Sequence, residues 1–70
     1  MTRNLTAPII GIDRGASFTD FAVVVSDGLR EIFSIENRDW ESIRTAYERL
    51  ITKYKTRHIV FSGSATGMPA

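Results

Sequence analysis

Cysteine is absent from the 70 residues and histidine occurs once. The first absence excludes a disulfide framework, and the two together exclude a structural zinc centre of the usual Cys/His type. Charge of one sign is missing too. Nine Lys+Arg stand against eight Asp+Glu, and the net charge of +1 gives no electrostatic case for nucleic acid or a membrane surface. No apolar run approaches the roughly 18 residues of a membrane span, and the N-terminus lacks the apolar core of a signal peptide. These absences make the cytoplasm the expected location and a small molecule the expected ligand. What is present is globular: 43% of the residues are hydrophobic, too many for a disordered chain. The length allows one small domain, residues 1–70, at a size where folding buries only about 60% of the surface the unfolded chain exposes.

Residues 1–7 are polar and irregular and read as a lead-in, with Pro8 at the edge of the first regular element. Ile9 to Asp13 is a short apolar run, apolar on both faces, as in a central strand covered above and below. Phe21 to Val25 is a second such run, and Ser26-Asp27-Gly28 breaks it. Asp-Gly between strand-like runs predicts a tight hairpin with positive φ at both central positions. Leu29 to Glu36 alternates, with Leu29, Glu31, Phe33 and Ile35 expected on one side and Arg30, Ile32, Ser34 and Glu36 on the other, as on an edge strand.

A helix is predicted over roughly 38–55, capped by Asn37 or Asp39. Its apolar stripe comprises Trp40, Ile43, Tyr47, Leu50, Ile51 and Tyr54, and Lys53 and Lys55 lie near its negative end. His58 to Ser62 reads as a further buried strand, leaving into the small-residue loop Gly63 to Pro69. The order strand, strand, strand, helix, strand predicts an α/β fold. Two hairpins and one right-handed crossover set the last strand parallel to the first, in spatial order 3-2-1-4. One helix covers only one face of such a sheet, whereas the first two strands are apolar on both. The expectation is an N-terminal piece of a larger domain.

Chemistry concentrates between Ile9 and Asp20. An apolar strand ends in the carboxylate of Asp13, a loop of small and hydroxyl residues follows, and a second strand begins. Small side chains at Gly15 and Ala16 let backbone N–H groups approach an anion, and Ser17 and Thr19 add hydroxyl donors. A carboxylate beside a polyanion repels it unless a cation lies between them, so Asp13 points to a divalent metal, most plausibly Mg²⁺, unless it simply caps the turn. Arg14 and Asp20 flank the loop as secondary candidates. The whole reads as a hairpin for Mg-nucleotide phosphates.

The segment Gly11-Ile12-Asp13-Arg14-Gly15-Ala16-Ser17-Phe18-Thr19-Asp20 resembles the first phosphate-binding motif of the actin, heat-shock ATPase and sugar-kinase superfamily, G-[IV]-D-x-G-[GS]-[TS]-x-[TS]. Its Phe18-Thr19-Asp20 ending is most similar to the hydantoinase/oxoprolinase N-terminal family, G-x-D-x-G-G-T-F-T-D. The resemblance implies part of an RNase-H-like half-domain and ATP with Mg²⁺ as cofactors in the intact protein. It also implies ATP-driven cleavage of a cyclic amide. Gly11, Asp13, Gly15, Ala16, Ser17 and Thr19 would bind the nucleotide, with Asp13 on the metal. The remaining catalytic parts would lie in a second lobe, so no catalytic residue is expected within the 70 positions. Two departures stand out: Ala16 replaces the second Gly and Ser17 replaces Thr. Serine keeps the hydroxyl, whereas alanine restricts φ and implies a reshaped or weakened loop. The alternatives are a related pantothenate- or sugar-type kinase, or a non-catalytic module that keeps the fold.

Overall fold

The computed structural model describes residues 7–63. The lead-in before residue 7 and the loop beyond Gly63 lie outside the described residues. The chain runs β1 (Ile9–Arg14), β2 (Phe18–Val25), β3 (Gly28–Glu36), α1 (Trp40–Tyr54) and β4 (His58–Gly63). The four strands form one mixed sheet in the order β3-β2-β1-β4, with β1 antiparallel to β2 and parallel to β4. This is the α/β arrangement that the alternation of apolar runs predicts.

Period-two alternation assigns Ile10 and Ile12 of β1, and Phe21 and Val23 of β2, to one face. There they meet Ile43, Ala46 and Leu50 of α1 in the core. Phe33 of β3 extends it, stacking on Phe21 at a centroid distance of 5.0 Å and lying under the Arg49 guanidinium at 5.5 Å. Trp40, expected in the helix stripe, is 51% exposed, and Ala46 takes a core position in its stead.

Asp39 caps α1 by accepting the Ser42 N–H at 3.2 Å. The helix stops at Lys55, whose φ of 52° is left-handed and whose N–H returns to the Ile51 carbonyl at 2.8 Å. The buried Thr56 then donates to the Pro8 carbonyl at 2.6 Å and accepts the His58 N–H at 3.1 Å, binding the helix exit to the approach of β1.

A brace joins α1 to the edge strand β3. Glu31 accepts hydrogen bonds from Tyr54 Oη at 2.6 Å, Lys53 Nζ at 2.9 Å and Arg49 at 3.1 Å. The Tyr54 bond first, then those from Arg49 and Lys53, hold the Glu31 carboxyl down at about 2 against its ordinary 4.5. The bond to Glu31 raises the Tyr54 phenol in turn.

Three expectations are corrected. The β2–β3 turn falls on Ser26 and Asp27, neither of which has positive φ, while Gly28 opens β3 with φ 130°. A bulge follows, because Val23 pairs with Glu31 and Val24 with Leu29, leaving Arg30 extra. That one residue turns Leu29 away from the side of Glu31, Phe33 and Ile35, and it is 58% exposed beside Val24 on the uncovered face. Finally, β4 is an edge strand with Val60 and Phe61 more than half exposed, and not a buried one. Among the described residues, only the helix side of the sheet is covered.

Candidate functional site

At the C-terminal end of β1 the register aligns Ser62, Asp13, Asp20 and Ser34 in one row across the sheet. The row lies on the face opposite α1, because Ile12 and Phe21, each one residue away, point into the core. Asp13 is exposed in its middle. Asp20, directly across the β1–β2 pair, accepts the Ser34 hydroxyl at 2.6 Å. Two carboxylates side by side at a strand end make a local negative field that favours a cation.

Gly63 closes the row on the β4 side. Its φ is 81°, and a Cβ there would run into the Arg14 carbonyl and stand 2.6 Å from Asp13 Oδ1. Only glycine lets the parallel strand end this close to the carboxylate. Its necessity comes from the β1–β4 pairing with Arg14, which no local pattern announces.

Beyond Asp13, the hairpin loop consists of Gly15, Ala16 and Ser17, all exposed. The Gly15 N–H donates to the Phe18 carbonyl at 2.8 Å, closing the loop on itself. Gly15 therefore contributes by its size: a Cβ would approach Phe18 O to 3.3 Å. Ala16 has no positive φ, so the methyl in place of glycine carries no backbone strain.

The remaining predicted residues divide. Gly11 lies two residues before Asp13 on the same face, half-buried between Ala22 and Val60, and lines the sheet without reaching the loop. Thr19 does not join the loop mouth. It is 1% exposed on the helix side and donates its hydroxyl to Asn37 Oδ1 at 2.6 Å, so its expected role as an anion donor is corrected. The structure brings together Asp13, Gly15, Ala16, Ser17 and Asp20, adds Gly63, and sets Thr19 behind them.

Magnesium suits one or two carboxylates completed by water and phosphate oxygens, and does not require a cage of protein ligands. The described residues hold no group of three or more His, Cys, Asp or Glu that could form a closed metal site. Asp13, with Asp20 beside it, is the pair able to hold the ion. No helix among the described residues is long and apolar enough to cross a membrane.

Compared with known proteins, the chain matches no family model, no curated protein and no solved structure.

Proposed function

We propose that this chain supplies the first phosphate-binding hairpin of an ATP-dependent enzyme of the hydantoinase/oxoprolinase type, within an RNase-H-like half-domain. The observation that carries the reading is the placement of Asp13. An exposed carboxylate at the C-terminal end of a central strand adjoins a loop of three small residues. Ligands of open α/β sheets gather at the carboxyl ends of strands, which is where this row lies. The strand order and the motif from Gly11 to Asp20 support the same reading.

In this account Asp13 would hold Mg²⁺ through water, with Asp20, fixed by Ser34, beside it. The loop backbone and the Ser17 hydroxyl would donate hydrogen bonds to phosphate oxygens. A bound Mg²⁺ neutralises phosphate charge, the dominant need in phosphoryl transfer along with positioning. A second lobe would hold the adenosine and a small cyclic amide whose carbonyl is activated by phosphorylation. A small-molecule kinase of the same superfamily would use the hairpin identically and differ in that lobe.

An amide NMR titration of the ¹⁵N-labelled chain with ATP, with and without Mg²⁺, tests the proposal. Shifts confined to residues 13–17, dependent on Mg²⁺ and lost in Asp13→Asn, are expected, with no ATP turnover by the chain alone. Shifts that ignore Mg²⁺ or survive Asp13→Asn overturn the role of Asp13, and no shift at millimolar nucleotide with the second lobe present overturns the site.

A further inference from the structure

Asn37 lies between β3 and α1, where a helix cap is expected, yet Asp39 does the capping. Its own groups turn the other way, across the sheet to the 15–17 loop. The Asn37 N–H donates to the Ser17 carbonyl at 2.8 Å, and the side-chain Nδ2 donates to the Gly15 carbonyl at 2.9 Å. Oδ1 accepts the Thr19 hydroxyl at 2.6 Å, which anchors the amide to a buried residue, and the Gly15 carbonyl, able only to accept, fixes which end is Nδ2. One side chain and its own backbone thus hold two of the carbonyls of a loop that belongs to a different hairpin.

We infer that Asn37 is the positioning residue of the anion-binding loop, a role that rests on the phosphate-binding reading above. Peptide geometry supplies the reason. No described peptide bond is cis, and in a planar trans peptide the C=O and the following N–H point in opposite directions. Drawing the Gly15 carbonyl toward Asn37 therefore turns the Ala16 N–H away from it. Asn37 occupies the Thr19 side of the sheet, which is the helix side, and Asp13 projects from the opposite side. The Ala16 N–H is consequently directed to the side that carries the Asp13 carboxylate. With the Gly15 N–H already given to Phe18, the Ala16 N–H is the loop donor whose direction the Gly15 carbonyl sets. A free loop would sample both orientations of that peptide; the clasp selects one.

Two variants separate this role from plain stability. Asn37→Asp keeps the acceptor for Thr19 and replaces the Nδ2 donor with a charged oxygen that repels the Gly15 carbonyl. Asn37→Ala with Thr19→Val removes the side-chain half of the clasp, leaving the backbone bond to Ser17, without adding charge or leaving a buried hydroxyl unpartnered. Each is compared with the parent chain for amide hydrogen exchange and for binding of Mg-ATP, followed at the Ala16 amide. The expected result in both variants is exchange about fivefold faster at the hydrogen-bonded Gly15 and Asn37 amides, with Phe21 and Phe33 amides unchanged, and binding about fivefold weaker. Parent-like loop exchange in both variants overturns the inference, with or without ligand. Faster exchange with unchanged affinity also overturns it, while leaving the phosphate site standing. Failure of the parent chain to bind Mg-ATP in the presence of the second lobe overturns the phosphate reading, and the positioning role falls with it.

Discussion

Glycine identity carries different meanings along β1 and β4, and substitution separates them. Gly63 combines a φ of 81° with contact to Asp13 Oδ1 and the Arg14 carbonyl, so Gly63→Ala strains the backbone and pushes on the carboxylate together. We expect it to cost about 1–3 kcal/mol in urea unfolding and to shift the Asp13 resonances. Gly11 has ordinary φ, and its added Cβ would meet only Ala22 O at 3.8 Å. Gly11→Ala is expected to change stability by less than about 1 kcal/mol, with either sign allowed by the narrower unfolded ensemble. Equal losses at the two positions would refute the distinction. At this scale the sequence showed the carboxylate and the small loop, because local chain order suffices to display them. It did not show that Thr19 turns inward, that Asn37 holds the loop, or that Gly63 touches Asp13. Each of those depends on the pairing of segments distant along the chain.

Elements were legible where periodicity is long and less so where one residue changes the phase. The α1 stripe spans 15 residues, enough to expose its 3.6-residue period. The β3 alternation was correct from Glu31 onward and wrong at Leu29, because the extra Arg30 reverses the phase and a bulge has no signature in alternation itself. The end of α1 gives a second test at this scale. Lys55 holds a left-handed φ of 52°, a conformation that strains any residue with a Cβ and suits glycine. Lys55→Gly is expected to stabilise the fold by about 0.5–1 kcal/mol, measured by thermal or chemical unfolding. The attachment of α1 to β3 gives a third, through pH. The Glu31 carboxyl is held at about 2, below its ordinary 4.5, by Tyr54, Arg49 and Lys53. Since the folded value is the lower one, the stabilisation is complete above pH 4.5 and is lost as pH falls toward 2. Glu31→Gln should therefore cost stability at neutral pH, about 1 kcal/mol for so solvent-screened a cluster. It should also flatten the acid limb of the stability curve across that window. An acid limb identical to the parent's would show that Glu31 does not govern it.

For the whole molecule the governing feature is that one helix serves a four-stranded sheet. The apolar character of β1 and β2 on both sides led to the expectation of cover above and below, and the described residues place cover on one side only. Neighbouring residues of β3 test this directly. Phe33 faces α1, stacked on Phe21 beneath Arg49, whereas Ile32 faces outward at 69% exposure beside Ala22. Phe33→Ala removes packed surface and is expected to cost about 3 kcal/mol or more. Ile32→Thr removes nothing that is packed and is expected to stay within about 0.5 kcal/mol. It should instead weaken the fluorescence of an apolar dye bound to the native chain, because Ile32, Val24, Leu29 and Val60 form a continuous outward apolar surface. Unfolding of both variants at two protein concentrations decides the matter. A small, concentration-independent effect for Ile32→Thr means that the helix side alone holds the fold. A loss matching that of Phe33→Ala, and growing with concentration, means that in solution the outward face is packed as well, and that the single-sided core does not describe the stable species.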